Sequence, residues 1–444
     1  MDDYRRIADG MAADIAAGRL RPGDRLPTQR EFARRRGIAG STAARVYREL
    51  ARRGLTVGEV GRGTFVRASA RTADPAVAEP AEGRIDLEFN HPVVPGQSAL
   101  LAAGIAPLLR PDVLEAATRP VGPAGTAAAR GAAAGLLARG GWRPDPDRVL
   151  FAGGGRQAIA AAIAALVPPG GRLGAEELTY PVLRSVAGRL GVEVVPLSVD
   201  GEGVVPQAVA EAHRAAPLAA VYLQPTVHNP LGLVTPPRRL AELAEVLGRL
   251  GVAVIEDAVW AFLRDVPPLA ALLPERTVLV DSLSKRLAPG LTAGYAVAPH
   301  ALVPAVAAAL RSGGWGPARF ALDAAGRWWA EGAVDEIVRA KRRDASARRE
   351  IAARRLEGFA VGGDPSSYFC WWELPPPWRA DTFVAAAARH GIAVTPSAAF
   401  AADGLRAPHA VRLALASPPP DVLARALDTL AALARSGPEQ ACAE

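Results

Sequence analysis

The chain has 444 residues, half of them hydrophobic, and its 52 basic and 45 acidic side chains leave a net charge of +7. That length exceeds one small core and predicts two or three domains. Two cysteines fit a reducing compartment, and an acidic start followed by no long apolar run argues against a signal peptide or membrane span and for a cytoplasmic protein.

The positive excess is localised. Residues 1–70 hold 15 arginines against 8 acidic residues, as expected of a segment that meets phosphates. Within it, Tyr4, Ile7, Met11 and Ile15 recur at steps of three and four and predict a first helix, ended by Gly18. Thr28 and Glu31 have capping-box spacing and open a second helix carrying Arg30 and Phe32, which Gly37 to Gly40 breaks. Ser41 is placed to cap a third helix with Val46 and Leu50 inward and Thr42, Arg45, Arg48 and Arg52 outward. Val57 to Val66 reads as a hairpin with Gly61-Arg62-Gly63 at its tip. Three short helices and a β-wing make a winged helix-turn-helix, whose third helix enters the major groove.

Leu26-Pro27-Thr28-Gln29-Arg30, the Ser41-Thr42 helix start and Gly61-Arg62-Gly63-Thr64-Phe65-Val66 resemble the GntR family in order and spacing. The resemblance implies double-stranded DNA as partner. Arg30, Ser41, Thr42 and Arg45 would then lie at the DNA, with Arg62 and Gly63 approaching the backbone or minor groove through the wing.

From Ala68 to about Arg84 the composition turns to Ala, Pro, Glu and Asp without apolar periodicity. The expected organisation is therefore a DNA-binding domain over residues 1–69, a linker over 70–85 and a second domain over 86–444. In the second domain strands alternate with helices: Arg148–Ala152, Val192–Pro196, Leu218–Gln224, Val252–Glu256, Thr277–Asp281 and Gly294–Ala298. Their continuous apolar runs predict an α/β fold with a largely parallel sheet covered on both faces. From about Arg319, long helices and the strands Tyr368–Glu373 and Val411–Ala416 predict a smaller α+β lobe over about 319–444.

Only two of the 52 basic residues are lysines, Lys285 and Lys341. Lys285 follows a buried-strand pattern, where open α/β sheets place their chemistry. A lysine amine can lose its proton in a desolvated pocket and attack an aldehyde, which a guanidinium cannot. Gly153-Gly154-Gly155-Arg156 follows another strand and opens a helix, so backbone amides face a place where an anion could sit. Taken singly, a lysine on a loop and a glycine turn are ordinary features. The cysteines and six scattered histidines lack metal-ligand spacing, so no metal is expected.

The stretch with Ser282, Ser284, Lys285, Pro289, Gly290, Gly294 and Tyr295 resembles the cofactor-lysine segment of fold type I pyridoxal phosphate enzymes of the aminotransferase group. That resemblance implies pyridoxal phosphate joined to Lys285, its phosphate held by Gly154, Gly155, Arg156, Ser282 and Ser284. Tyr180 would stack on the ring, Asn229 would bond its phenolate oxygen and Asp257 its pyridine nitrogen, while Arg412 would fork onto the carboxylate of an amino compound. Three positions depart from the pattern: Thr292 replaces an arginine that pairs with the phosphate, Trp260 a phenol, and Pro120 a tyrosine that commonly reaches the phosphate across the dimer. Loss of one charge-assisted contact costs ~1.5–3 kcal/mol, enough to weaken affinity tenfold or more.

End to end, the chain resembles the MocR/GabR group of bacterial transcription regulators. The resemblance implies a homodimer that uses pyridoxal phosphate and an amino effector to regulate transcription, with no turnover or only residual aminotransferase activity. An aminotransferase with a secondary winged helix, and a regulator whose domain has lost the cofactor, are the two alternatives.

Overall fold

The computed structural model describes residues 3–16, 19–20, 24–52, 55–59, 63–66, 84–402 and 407–438. The N-terminal unit packs the helices Asp3–Ala16, Gln29–Arg36 and Gly40–Arg52 on a small antiparallel sheet in which Gly63–Val66 lies between Arg25–Leu26 and Thr56–Glu59. Met11, Phe32, Val46, Leu50 and Val66 fill its core, and the Tyr47 hydroxyl ties in by donating to the Pro27 carbonyl at 2.6 Å. Thr28 caps the second helix through its side-chain oxygen, which accepts from the Glu31 amide at 3.2 Å, and Gly37 ends that helix at a φ of 63°. Ser41 is not the cap of the third helix. The helix begins at Gly40, the amides of Thr42 and Ala43 bond the Ala39 carbonyl, and Ser41 lies in the first turn. Gly18, the wing tip with Arg62, and the linker up to residue 83 lie outside the described residues.

The second unit is built on a seven-stranded sheet in the spatial order Val149–Ala152, Gly294–Val297, Thr277–Ser282, Ala253–Asp257, Ala220–Leu223, Arg172–Glu176, Glu193–Leu197. Gly294–Val297 runs antiparallel to both neighbours, and the other adjacent pairs are parallel. Six strands therefore end on one edge, and the loops leaving that edge carry the polar clusters described below. Arg172–Glu176 has no β-branched residue. It forms a strand because its neighbours bury it, with Gly174 packed under Leu197, Leu218 and Val221.

A second sheet of five strands, Ala360–Gly362, Phe369–Glu373, Ala410–Ala414, Ile392–Pro396 and Ile85–Leu87, forms the smaller lobe. The last of these corrects the expected extent of that lobe: Ile85–Leu87 comes from the start of the domain and pairs parallel to Ile392–Pro396. The helix Arg319–Ala330 belongs instead with the large-sheet core, where the Trp328 indole donates to the Leu101 carbonyl at 2.9 Å. The long helix Ala333–Arg355 joins the two, with Ile337 and Ala345 in the large core and Ala352 in the small one.

Gly294 lets the antiparallel strand start against the Gly153–Gly155 turn, since a Cβ there would lie 2.4 Å from the Gly154 carbonyl oxygen. Overpacking of this kind costs about 1–3 kcal/mol. Gly294→Ala is expected to lower the thermal midpoint of the full-length protein by several degrees, whereas Gly290→Ala, with open space around the added methyl, should leave it unchanged.

Candidate functional site

The winged unit presents one face of the helix Gly40–Arg52. Ala43, Val46, Tyr47 and Leu50 are buried, whereas Ser41, Arg45 and Arg48 are exposed and Thr42 partly so. The Arg45 guanidinium lies 5.9 Å from the Tyr4 ring centroid, which positions the side chain at the surface. Arg30 is exposed on the preceding helix. Gly63 has a φ of +123°, and a Cβ there would stand 2.9 Å from Arg25 Nε, so this arginine lies along the wing.

In the second unit Lys285 follows the strand Thr277–Ser282, in the four-residue helix Leu283–Arg286. Its Nζ donates to the Asn90 carbonyl at 2.7 Å and lies 5.5 Å from the Trp260 ring centroid. Burial brings the amine down to about 8, with the positive charges of Arg412 and Arg156 adding to the effect. At neutral pH on the order of a tenth of it is then free base, hundreds of times more than for an exposed lysine. Trp260 packs among Phe262, Tyr368 and Phe369. Its indole serves the core and one side of the amine.

Asp257 ends the neighbouring strand. One carboxylate oxygen accepts from the Tyr222 hydroxyl at 2.5 Å and the other from the Val259 amide at 3.0 Å. Burial raises its pKa to about 6, against the pull of those bonds, so the group is an anion at neutral pH yet ready to share a proton. The Asn229 side-chain oxygen accepts from Arg412 Nη1 at 2.9 Å. Because a guanidinium only donates, this contact fixes the amide orientation and leaves the Asn229 NH2 free to donate elsewhere. Arg412 also donates to the Glu88 carbonyl and to Thr395 Oγ1, and its Nε is buried without a partner among the described residues. Tyr180 opens the helix Pro181–Arg189, and its hydroxyl accepts from Arg156 Nε at 3.1 Å.

Gly154 and Gly155 begin the helix Gly155–Leu166, whose first amides have no carbonyl behind them. Three hydroxyls gather beside this end: Ser282 Oγ donates to Ser284 Oγ at 3.1 Å, and Ser284 Oγ lies 2.8 Å from Thr292 Oγ1. A Cβ on Gly155 would come within 3.1 Å of Ser282 Oγ, and one on Gly154 within 3.5 Å of the Thr292 methyl. The glycines thus keep open a recess lined by hydroxyls and helix-start amides, a donor set suited to a phosphate. Arg286 does not take part. Its guanidinium is buried against Asp281 at 2.8 Å and against the Phe262 ring.

Two buried groups without a role assigned from sequence support this edge. Glu176, at the end of its strand, accepts from the Gln224 amide at 2.6 Å and from Thr179 Oγ1 at 3.3 Å. The Gln224 side chain bonds the Asn229 carbonyl in turn, so the carboxyl orders the asparagine loop. Burial raises Glu176 to about 8 and lowers the adjacent His228 to about 3, leaving both mostly neutral at pH 7. The other is Lys341, whose signal was its residue type in an arginine-rich chain; its Nζ donates to the carbonyls of Lys285 and Leu287.

Residues 117–430 match the family "Aminotransferase class I and II", and residues 3–66 match "Bacterial regulatory proteins, gntR family". The chain is 29% identical over 424 residues to the HTH-type transcriptional regulator YdeF of Bacillus subtilis (strain 168), covering 94% of this chain and 90% of that protein. It is 27% identical to the vitamin B6 salvage pathway transcriptional repressor PtsJ of Salmonella typhimurium (strain LT2), over 93% of this chain and 94% of that one. Among solved structures, the α-aminoadipate aminotransferase LysN of Thermus thermophilus superposes with a TM-score of 0.72 at 22% identity, over 80% of this chain and 93% of the other. No described helix is long and apolar enough to cross a membrane.

The raised pKa of Glu176 gives a pH prediction. Folding favours its neutral form, so its contribution to stability is full below its ordinary value of 4.5 and is lost as pH rises through about 8. Glu176→Gln keeps the shape without the charge. Between about pH 5 and about pH 8.5 its thermal midpoint should fall less than that of wild type. Parallel curves for the two proteins would show that Glu176 ionises normally.

Proposed function

Because the chain belongs to the aminotransferase class I and II family and carries a gntR-family regulatory domain ahead of it, we propose that it is a transcription regulator that binds double-stranded DNA through its winged helix and senses an amino compound in a pyridoxal phosphate-holding domain. The observation that carries this reading is the meeting, on one sheet edge, of a desolvated lysine amine, a buried carboxylate and a hydroxyl-lined helix start. When bound, the cofactor supplies an aldehyde for the Lys285 amine and a ring that withdraws electrons from whatever is attached to it.

The chain's own residues divide the work of holding it. Gly154 and Gly155 amides with Ser282, Ser284 and Thr292 receive the phosphate, and Arg156 adds positive charge while steadying Tyr180 against the ring. Asp257, held by Tyr222, keeps a proton on the pyridine nitrogen, and the Asn229 NH2 donates to the phenolate oxygen. Arg412 offers its fork to a carboxylate by giving up carbonyl and amide contacts that substitute for one. Trp260 supplies no hydroxyl near the amine, which favours retention of a bound effector over rapid turnover.

The large domain also supports a homodimer. Val93, Leu109, Leu114 and Phe320 are exposed on segments that adjoin or pack around the helix Gln97–Ile105 and its continuation, an apolar set that a second copy would cover. Residues 1–69 are the corresponding DNA-binding domain, and because Ile85 already pairs in the small sheet the effector domain starts there, one residue earlier than 86–444, with the linker before it. At the DNA, Arg45 and Thr42 read base edges from the third helix, and Arg30, Ser41 and the wing at Arg62 and Gly63 contact the backbone.

Titration with pyridoxal phosphate is expected to produce visible absorbance, and borohydride reduction to leave the label on Lys285. Lys285→Ala should lose both; identical spectra for the two proteins, with no labelled Lys285 peptide, would make a regulator without cofactor the better reading. Footprinting should protect two half-sites about 34–36 Å, or a multiple of that, apart. Arg45→Ala is expected to weaken protection about tenfold or more, the cost of losing one base contact. Unchanged protection would remove Arg45 from the interface, and the absence of any protected site would sink the regulator reading.

A further inference from the structure

The second lysine of the chain is the least expected charge in the fold. Lys341 lies midway along the helix Ala333–Arg355, is fully buried, and has no carboxylate within ion-pair distance among the described residues. Burying an unpaired ammonium is costly, and a methionine of similar length would fill the space without that cost. What the ammonium offers is donors. Lys341 Nζ gives one hydrogen bond to the Lys285 carbonyl at 3.0 Å and another to the Leu287 carbonyl at 2.6 Å, where the Gln97 side chain also donates at 3.2 Å. A helix of four residues leaves nearly all its carbonyls unsatisfied, and these two point into the protein interior, away from water. An arginine, otherwise the chain's basic residue, would bring a planar fork of five donors to a place that offers two acceptors.

We propose that Lys341 is a positioning residue for Lys285: its amino group grips the peptide of the reactive lysine and fastens it to the helix that spans the two lobes. Beyond Lys341 the same helix is anchored in the smaller lobe, where Arg348 Nη1 donates to the carbonyls of Leu415 and Pro418, while Ala352 packs in the core of that lobe. Arg412, the residue offered to an effector carboxylate, belongs to the sheet of that lobe, three residues before Leu415. The Lys285 peptide is thus held by the element that carries the effector arginine's lobe. Displacement of that lobe when an effector draws on Arg412 passes through the helix to the Lys285 backbone, and from there to the bond between Lys285 and the cofactor.

The inference rests on the assignment of pyridoxal phosphate to Lys285, and the test separates the two. Full-length wild type, Lys341→Met and Tyr368→Phe are mixed with pyridoxal phosphate, and the rate of borohydride-trapped label at Lys285 and the visible spectrum are followed. Tyr368 donates to the Lys341 carbonyl at 2.9 Å, so its variant loosens the same helix turn without touching the Lys285 peptide. The expected result is labelling at least tenfold slower and a shifted visible band in Lys341→Met alone, with DNA binding retained. Equal rates and spectra in wild type and Lys341→Met, or equal losses in both variants, would overturn the positioning role. No label on wild type would instead remove the cofactor assignment, and this inference with it. Should Lys341→Met not accumulate as folded protein, Lys341→Gln, whose amide keeps two N–H donors on a stem one bond shorter, is judged by the same criteria.

Discussion

Desolvation at the carboxyl edge of the seven-stranded sheet sets the ionisation of Lys285 and of the carboxyls Asp257 and Glu176. The same burial that brings the Lys285 amine down to about 8 pushes Asp257 up to about 6 and Glu176 to about 8. Each group is thereby moved toward the pH at which it can exchange a proton. None of these shifts comes mainly from a neighbouring charge. They follow from strands that end side by side in the interior, so the fold itself tunes the site before any ligand arrives.

Burial on this scale leaves polar atoms to satisfy, and the surrounding network can be read as the answer to that demand. Glu176 takes the Gln224 amide, Gln224 takes the Asn229 carbonyl, and Asn229 takes Arg412. Lys341 takes the carbonyls that the Lys285 helix cannot bond internally. The glycines work in the opposite sense. Gly154, Gly155 and Gly294 withhold side chains so that amides and hydroxyls can approach one another closely.

The N-terminal unit solves a different problem. Its described apolar residues gather in one small core, and its described arginines remain in water on helix faces and beside the wing. A guanidinium that meets phosphate or a base edge works by being charged and accessible. One chain therefore carries two electrostatic regimes, exposed arginines in the first unit and a buried lysine in the second.

Local pattern was enough to read the winged helix, most strands of the large sheet and the Ser-x-Ser-Lys turn. Capping residues, apolar runs and glycine turns act over a few positions, and the chain writes them contiguously. The same holds for Lys285 among arginines, since residue choice alone points to amine chemistry. Tertiary structure decided the rest. Arg172–Glu176 became a strand through burial by its neighbours, and Ile85–Leu87 crossed to the small sheet because Ile392–Pro396 offered an unpaired edge. Arg286 was committed to Asp281 rather than to the phosphate recess. Glu176 and Lys341 gained their roles from partners far away in the sequence: the first joins loops 48 residues apart, the second reaches carbonyls 54 and 56 residues before it. Such contacts leave no periodic trace, because they satisfy buried polar atoms that exist only once the elements have packed.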